Sequence, residues 1–261
     1  MSNFCPVCKN TINEDTVKCT VCDFTDLHRE FITKEDAQEW LDSVVLPYRK
    51  QWEQSKKEIT NSQIEQNVIS NVKTLERESN KDDFNLFLGC LVKYKGNSKY
   101  VSTPSDVHLI CQNAFANCES VESINMSYNV VIIEKYAFDG CKNLKEVYFS
   151  KNLNRIEYGA FARCESLKEI TIPNKIKKIE WRTFEGCKNL EIVNIPDSVL
   201  EIEIDAFKGC SNLTSIVIPE SVTSISGLPF EDCKKLTIHC QRNSYAHKYA
   251  TGNNISVQFI D

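Results

Sequence analysis

Four cysteines near the N-terminus carry the clearest chemistry in the sequence. Cys5 and Cys8 form one Cys-x2-Cys pair, and Cys19 and Cys22 form a second pair after ten intervening residues. Two such pairs suit a tetrahedral metal ion held by four thiolates at about 2.3 Å, as in a small zinc ribbon. We therefore expect a structural zinc ion bound by Cys5, Cys8, Cys19 and Cys22. Iron at the same ligands, or a redox-active or disulfide pairing, is the alternative.

The segment around these cysteines has little else to stabilise it. Its apolar support consists of Phe4, Ile12, Val17 and Phe24. So few apolar side chains cannot fold 25 residues in water, and the metal must supply the stability. Residues 1–28 are thus predicted to form a zinc-ribbon-like module with four cysteine ligands.

The rest of the chain offers no recognisable catalytic set. The motifs GxxxxGK[ST], GxGxxG, GxSxG and HExxH do not occur, which removes the usual support for nucleotide-binding, dinucleotide-binding, serine-hydrolase and zincin functions. His108, His239 and His247 fall at unrelated points of the repeat described next. We expect no enzyme.

An internal repeat of 23 residues dominates the second part of the sequence. One position of every repeat is Phe and a position three residues later is Cys, and each series advances in steps of 23. The two series are Phe115, Phe138, Phe161, Phe184, Phe207 and Phe230, and Cys118, Cys141, Cys164, Cys187, Cys210 and Cys233.

After each Cys, every second residue is apolar, as with Ile170 and Ile172, a pattern typical of a half-buried strand. Pro or Ser ends this strand. A second apolar pair follows, such as Ile176 and Ile179. A unit this short cannot cover its own apolar face, whereas stacked units can, with a rise of about 4.8 Å per coil. The residue before each Cys is mostly Gly, Asn or Asp, which predicts a left-handed turn there with Arg163 as the strained exception.

The repeat units resemble the BspA-like leucine-rich repeat. Two of them read Ala137-Phe-Asp-Gly-Cys-Lys-Asn-Leu-Lys-Glu-Val-Tyr-Phe and Ala206-Phe-Lys-Gly-Cys-Ser-Asn-Leu-Thr-Ser-Ile-Val-Ile-Pro. The resemblance spans roughly residues 84–261 and implies a mainly β solenoid, the leucine-rich-repeat right-handed superhelix. It also implies an interaction scaffold, since family members often serve as surface adhesins.

We assign residues 81–261 to this solenoid and expect a cap at each end. The N-terminal cap is predicted as a hairpin that turns at residues 95–98. The C-terminal cap is predicted as a helix-like stretch at residues 243–250 and a final strand at residues 256–260.

Residues 29–80 are predicted to be a helical segment or linker. The residues Ala37, Trp40, Leu41, Val44 and Tyr48 follow helical spacing, and Pro47 should kink or divide this helix. A second, narrower stripe follows residue 62. The stripes are expected to pack on each other or on the first solenoid coil, and self-association is the alternative.

Charge and hydropathy exclude two further classes of protein. Residues 1–83 hold 11 Lys and Arg against 16 Asp and Glu, and residues 84–261 hold 20 against 20. Nucleic-acid binding needs a clustered excess of cations, so we expect no nucleic-acid partner. The sequence also has no apolar run of the roughly 18 residues that a membrane-spanning helix requires.

The first residues bear on location. Cys5-Pro-Val-Cys8 stands where a secretory signal would place a basic patch and an apolar stretch, which predicts a cytoplasmic protein. Free thiols are predicted along the cysteine series, because an inward cysteine behaves as a small hydrophobe. A cell-surface adhesin exported by an unrecognised route is the alternative.

The predicted function is a non-enzymatic scaffold that binds a protein partner. The outward residues of the first strand in each repeat should align across coils, with Ser123 among them. The candidate partner-binding residues are Asn125, Glu146, Tyr148, Glu169, Thr171, Ile192, Asn194 and Val217. The alternative is that the N-terminal part binds the partner and the solenoid acts as a spacer.

Overall fold

The computed structural model describes residues 81–260. The predicted zinc module at 1–28 and the predicted helical segment at 29–80 lie outside the described residues. The assignments of Cys5, Cys8, Cys19 and Cys22 therefore stay predictions.

Each 23-residue repeat forms two short strands and one compact turn that carries its Phe and Cys. The strands that follow the Cys positions are β3 (Tyr100–Ser102), β5 (Ser123–Asn125), β7 (Glu146–Tyr148), β9 (Glu169–Thr171), β11 (Ile192–Asn194), β13 (Ser215–Val217) and β15 (Thr237–Cys240). The second strands are β4 (Leu109–Ile110), β6 (Ile132–Ile133), β8 (Arg155–Ile156), β10 (Lys178–Ile179), β12 (Glu201–Ile202) and β14 (Ser224–Ile225).

Strands of consecutive coils pair in parallel at the repeat spacing. Ile124 is opposite Val147 in the pairing of β5 with β7, and Ile202 is opposite Ile225 in the pairing of β12 with β14. A shift of one residue would turn the apolar side chains outward, so the burial pattern fixes this register. The described chain is a β-solenoid of about seven turns, as the repeat predicts.

A column of phenylalanine rings runs through the core. The rings of Phe115, Phe138, Phe161, Phe184, Phe207 and Phe230 stack in order, with neighbouring centroids 4.8 to 5.8 Å apart. The first five of these side chains are fully buried. The spacing is close to the rise of parallel strands, so the sheet pairing and the ring stacking support one another.

Left-handed backbone turns shape the segment between each Phe and Cys. The residue before every Cys of the series has a φ between 57° and 73°, as predicted, and this includes Arg163 at 57°. The guanidinium of Arg163 pairs with the carboxylate of Asp139 in the preceding coil.

A second left-handed position, which the sequence analysis missed, lies two residues before each Phe. It is occupied by Asn113, Tyr136, Gly159, Arg182 and Asp205. In the last repeat it moves to Gly227, because Leu228 precedes Pro229 and a residue before proline is pushed toward extended conformations.

The N-terminal cap is a hairpin, but its turn is not where it was predicted. β1 (Phe84–Phe87) pairs antiparallel with β2 (Cys90–Tyr94), so the turn falls at Leu88 and Gly89 instead of residues 95–98. Both turn residues have positive φ, which matches the right-handed twist of the paired strands. β2 then pairs in parallel with β4 and begins the solenoid.

The C-terminal end has a helix and a final strand. Helix α1 (Tyr245–Gly252) begins after Ser244, whose hydroxyl accepts a hydrogen bond from the His247 amide at 3.2 Å. Strand β16 (Ser256–Phe259) pairs in parallel with β15. These elements cover the last coil, with Tyr249 against the ring of Phe230.

Candidate functional site

The outward residues of the first strands form two aligned columns, which we call the strand surface. The eight candidates Asn125, Glu146, Tyr148, Glu169, Thr171, Ile192, Asn194 and Val217 are all exposed. Pairing places Asn125 opposite Tyr148, Glu169 opposite Ile192, and Thr171 opposite Asn194. The structure therefore aligns the predicted residues, while their role in binding stays a prediction.

Ser123 does not belong to this exposed set. It was expected to face outward, but its side chain is buried. Register places it between Tyr100 and Glu146, two larger residues in the same column.

Large apolar side chains are exposed at four points of the strand surface. Tyr148 is 50% exposed, Tyr100 and Ile192 48% and Val217 47%. Their neighbours in the same columns are mainly polar. Exposed apolar groups within a polar surround are typical of contact sites.

Hydrogen bonds fix several of the polar side chains. The Tyr148 hydroxyl donates to Glu146 Oε2 at 3.2 Å. Asn194 Nδ2 donates to Glu169 Oε1 at 3.2 Å and to Thr171 Oγ1 at 3.0 Å. These contacts reduce the side-chain freedom that would be lost on binding a partner.

A charged cluster borders the strand surface. Glu122 contacts Lys145 and Lys99, with a nitrogen-to-oxygen distance of 2.7 Å to each. Hydrogen bonds from the two ammonium groups lower the pKa of Glu122 to about 2. The carboxylate therefore stays ionised at any physiological pH.

Strand pairing breaks in both strand rows between the coil of β7 and β8 and the coil of β9 and β10, at a boundary that we call the seam. β7 ends the sheet β3-β5-β7 while β9 pairs only with β11, and β8 ends one sheet while β10 begins another. Strands β11 and β13 also lie in separate sheets, but there the second strands β12 and β14 stay paired. The turn side of this boundary stays closed, since the Phe138 amide donates to the Ala160 carbonyl at 2.8 Å.

A row of hydrogen bonds from backbone amides to glutamates of the next coil is interrupted at the same boundary. Glu134, Glu157 and Glu203 each accept a hydrogen bond from a backbone amide of the preceding coil, namely Gln112, Lys135 and Trp181. Among the described residues, no hydrogen bond joins Glu180 to the equivalent amide of Tyr158. Burial, together with the nearby charge of Glu203, raises the pKa of Glu180.

A groove of about 790 Å³ opens on the strand surface at the seam. Four of the eight candidates, Glu146, Tyr148, Glu169 and Thr171, line it. The other lining residues are Lys145, Val147, Phe149, Ser150, Lys151, Ile172, Pro173 and Asn174. Sequence analysis identified the four residues but not the concavity that they share.

An aromatic row on the turn side was also missed. Tyr136 contacts Tyr158 edge-on at 5.3 Å, and Tyr158 lies 5.8 Å from Trp181 between ring centroids. The guanidinium of Arg182 covers the Trp181 ring at 4.6 Å. The signal was available, because Tyr158 and Trp181 share the position three residues before Phe.

The cysteine series is buried and unsuited to nucleophilic catalysis. Each thiol from Cys141 to Cys233 donates to the carbonyl oxygen of Phe in the preceding coil, at 3.0 to 3.3 Å. Burial raises the pKa of the Cys187 and Cys233 thiols to about 12. The reactive thiolate is therefore scarce at neutral pH.

The described residues also bear on the predicted metal site and on the membrane. Residues 81–260 contain no group of three or more His, Cys, Asp or Glu side chains able to hold a metal. No helix in this part of the chain is long and apolar enough to span a membrane. The four predicted zinc ligands lie outside it.

The parallel coils and their 23-residue period define a leucine-rich repeat protein. Residues 108–237 match the BspA-type leucine-rich repeat region in six copies. This match supports the repeat protein predicted from the sequence.

Solved structures give the same fold. A leucine-rich cell surface protein from Faecalibacterium prausnitzii matches with 29% identity and a TM-score of 0.52 over 62% of this chain, and the match spans 51% of that protein. The leucine-rich repeat protein of T. pallidum matches with 21% identity and the same TM-score, over 70% of this chain and 98% of that one. No curated protein matches this chain.

Proposed function

We propose that this chain is a non-enzymatic scaffold that binds a protein partner through its strand surface. The observation that carries the proposal is the alignment of exposed Tyr148, Ile192 and Val217 within columns of polar side chains. The solenoid fold supports it, because stacked repeats present an extended surface that partners can cover. Tyrosine is also a common anchor residue at interfaces.

We place this scaffold at the cell surface, the alternative that the sequence analysis left open. The F. prausnitzii protein with 29% identity is described as a cell surface protein, and nothing comparable supports a cytoplasmic location. Free thiols in the cysteine series do not by themselves favour a cytoplasmic location. Because they are solvent-shielded and their pKa values are raised, they can stay reduced in either compartment.

The proposed structural zinc at Cys5, Cys8, Cys19 and Cys22 is retained as a separate proposal. It rests on the donor set, since four thiolates in two Cys-x2-Cys pairs match the preference of zinc. These ligands would stabilise residues 1–28 without taking part in a reaction.

The binding proposal is tested with the double substitution Ile192→Ser and Val217→Ser. Both positions are exposed and lie outside the seam groove, so folding should be unchanged by circular dichroism. Capture of the most abundant bound protein from the native cell extract should fall at least tenfold, which corresponds to about 1.4 kcal/mol.

Leu200→Ser is the matched control, because Leu200 is 43% exposed but is not part of the strand surface. Capture that survives the double substitution and disappears when residues 1–80 are removed would assign binding to the N-terminal part.

The location is tested by protease treatment of intact and lysed cells. A surface protein is degraded in both samples. Degradation in the lysed sample alone would restore the cytoplasmic prediction.

A further inference from the structure

The seam groove combines a fixed aromatic ring with fixed polar groups. Tyr148 is half exposed, and its hydroxyl donates to Glu146, which restrains the ring. Phe149 is half-buried beside it, with its ring edge-on to Phe161 at 5.7 Å. Pro173 forms part of the same lining. The groove therefore offers an apolar wall that is already in place before a ligand arrives.

The polar groups of the groove keep free hydrogen-bonding capacity. Glu169 uses Oε1 to accept from Asn194, and Glu146 uses Oε2 to accept from Tyr148. Each carboxylate keeps a second oxygen. Thr171 accepts from Asn194 and can still donate its own hydroxyl hydrogen. Acceptors and donors thus stand side by side at fixed positions.

The charges of the groove balance. Its lining contains two lysines, Lys145 and Lys151, and two glutamates, Glu146 and Glu169. Lys145 is already paired with Glu122 at 2.7 Å. A strongly anionic or cationic ligand would meet as much repulsion as attraction, so the groove complements a neutral ligand.

We propose that the seam groove binds a neutral oligosaccharide. A pyranose ring has an apolar C–H face that can lie on the Tyr148 ring, and adjacent hydroxyls that each donate and accept hydrogen bonds. The carboxylates, Thr171 and Asn174 supply partners for such hydroxyls. The volume of about 790 Å³ falls within the range of small-ligand sites and holds a few sugar units. This site overlaps the protein-binding surface at Tyr148, but the ligand class differs and the two tests substitute different residues, so either proposal can fail alone.

The test is binding of the purified full chain to an array of neutral and anionic oligosaccharides. The neutral probes include mannotriose and N-acetyllactosamine, and 3′-sialyllactose and heparin fragments represent the anionic class. At least one neutral oligosaccharide should bind, and calorimetric titration should show a dissociation constant that Tyr148→Ala raises at least tenfold. Glu169→Gln should weaken the same binding while leaving the protein folded.

Tyr100→Ala is the matched control. Tyr100 is 48% exposed on β3 of the same strand surface, but it does not line the groove. Its substitution should leave oligosaccharide binding unchanged. No binding of any neutral probe at millimolar concentration, binding of anionic probes alone, or equal effects of the Tyr148 and Tyr100 substitutions would each overturn the proposal. If the full chain binds no oligosaccharide but the Ile192→Ser and Val217→Ser variant loses protein capture, the oligosaccharide proposal fails and the protein-binding proposal is still supported.

Discussion

The two invariant side chains of the repeat stabilise it in different ways. Each phenylalanine ring contacts the ring above and below it, whereas each cysteine thiol donates to a Phe carbonyl oxygen of the preceding coil that also accepts a backbone amide within its own turn. Leu and Ile pack around both. The ring column therefore supplies a continuous line of buried apolar contact, and the thiol supplies a hydrogen bond without the cost of burying a larger polar group.

Phe161→Ala should lower the free energy of unfolding by about 3–5 kcal/mol. The ring is fully buried and stacks on Phe138 at 5.0 Å and Phe184 at 5.8 Å, so its removal leaves a cavity in the middle of the column. A denaturant titration measures the loss. Ile192→Ala, at an exposed position, is the control and should cost less than about 0.5 kcal/mol. A loss under about 1 kcal/mol at Phe161 would contradict the assigned role of the column.

The thiols Cys141, Cys164, Cys187, Cys210 and Cys233 should resist alkylation in the native protein at pH 8. They are buried, and burial raises all their pKa values, to about 12 for Cys187 and Cys233. In denaturant without reductant, all five should react and increase the intact mass accordingly. Fast native labelling would mean that the thiols are accessible. Failure to react in denaturant would show that they are paired in disulfides.

At the level of strands, the regular part of the fold was predictable and the seam was not. An unchanged 23-residue period leaves one register for Phe, Cys and Leu, so the coil and its left-handed turn before Cys follow from the sequence. β7 and β9 carry the same alternation as strands that do pair. Whether β7 and β9 pair depends on a small difference in the distance between their coils, and the 23-residue period does not specify that distance.

One residue offers a physical reason for the seam. Phe149 occupies the inward position that Met126 and Ile172 hold in neighbouring coils, and its ring reaches Phe161 in the next coil. A phenyl ring is bulkier than the side chains at those positions, which offers a reason why β7 and β9 do not pair. Phe149 is partly buried and also lines the groove. The four groove residues could therefore be chosen from sequence, but their concavity could not.

The seam should be visible in amide hydrogen exchange. At intact boundaries the amides of Glu146 and Ile192 donate to carbonyls of the preceding coil, Glu122 at 3.3 Å and Lys168 at 3.1 Å. Glu169 holds the same position at the seam, where β7 and β9 do not pair. Its amide should exchange at least tenfold faster than those of Glu146 and Ile192, as measured by nuclear magnetic resonance.

Phe149→Ile should slow the exchange of the Glu169 amide by narrowing the seam. Met126→Ile, at the equivalent position of a paired boundary, is the control and should leave that exchange unchanged. Equal protection of Glu146, Glu169 and Ile192 in the unmodified protein would show that the seam is closed in solution.

For the whole molecule, the two parts of the chain differ in what they need for stability. The solenoid buries a continuous apolar core over its coils. The first 25 residues have few apolar side chains and four closely spaced cysteines. Burial can stabilise the solenoid without a metal, whereas the N-terminal module is expected to depend on one.

The full chain should therefore contain about one zinc ion, and its removal should affect only the N-terminal module. Because all four predicted ligands precede residue 23, chelation should unfold residues 1–28 and leave amide protection in the solenoid strands unchanged. Elemental analysis gives the metal content, and hydrogen exchange before and after chelation separates the two parts. Cys5→Ser with Cys8→Ser should abolish zinc binding, and Cys118→Ser, which alters a cysteine of the solenoid, should retain it. Less than about 0.3 metal ions per freshly purified chain would contradict the site, and iron in place of zinc would correct its identity while keeping the ligands.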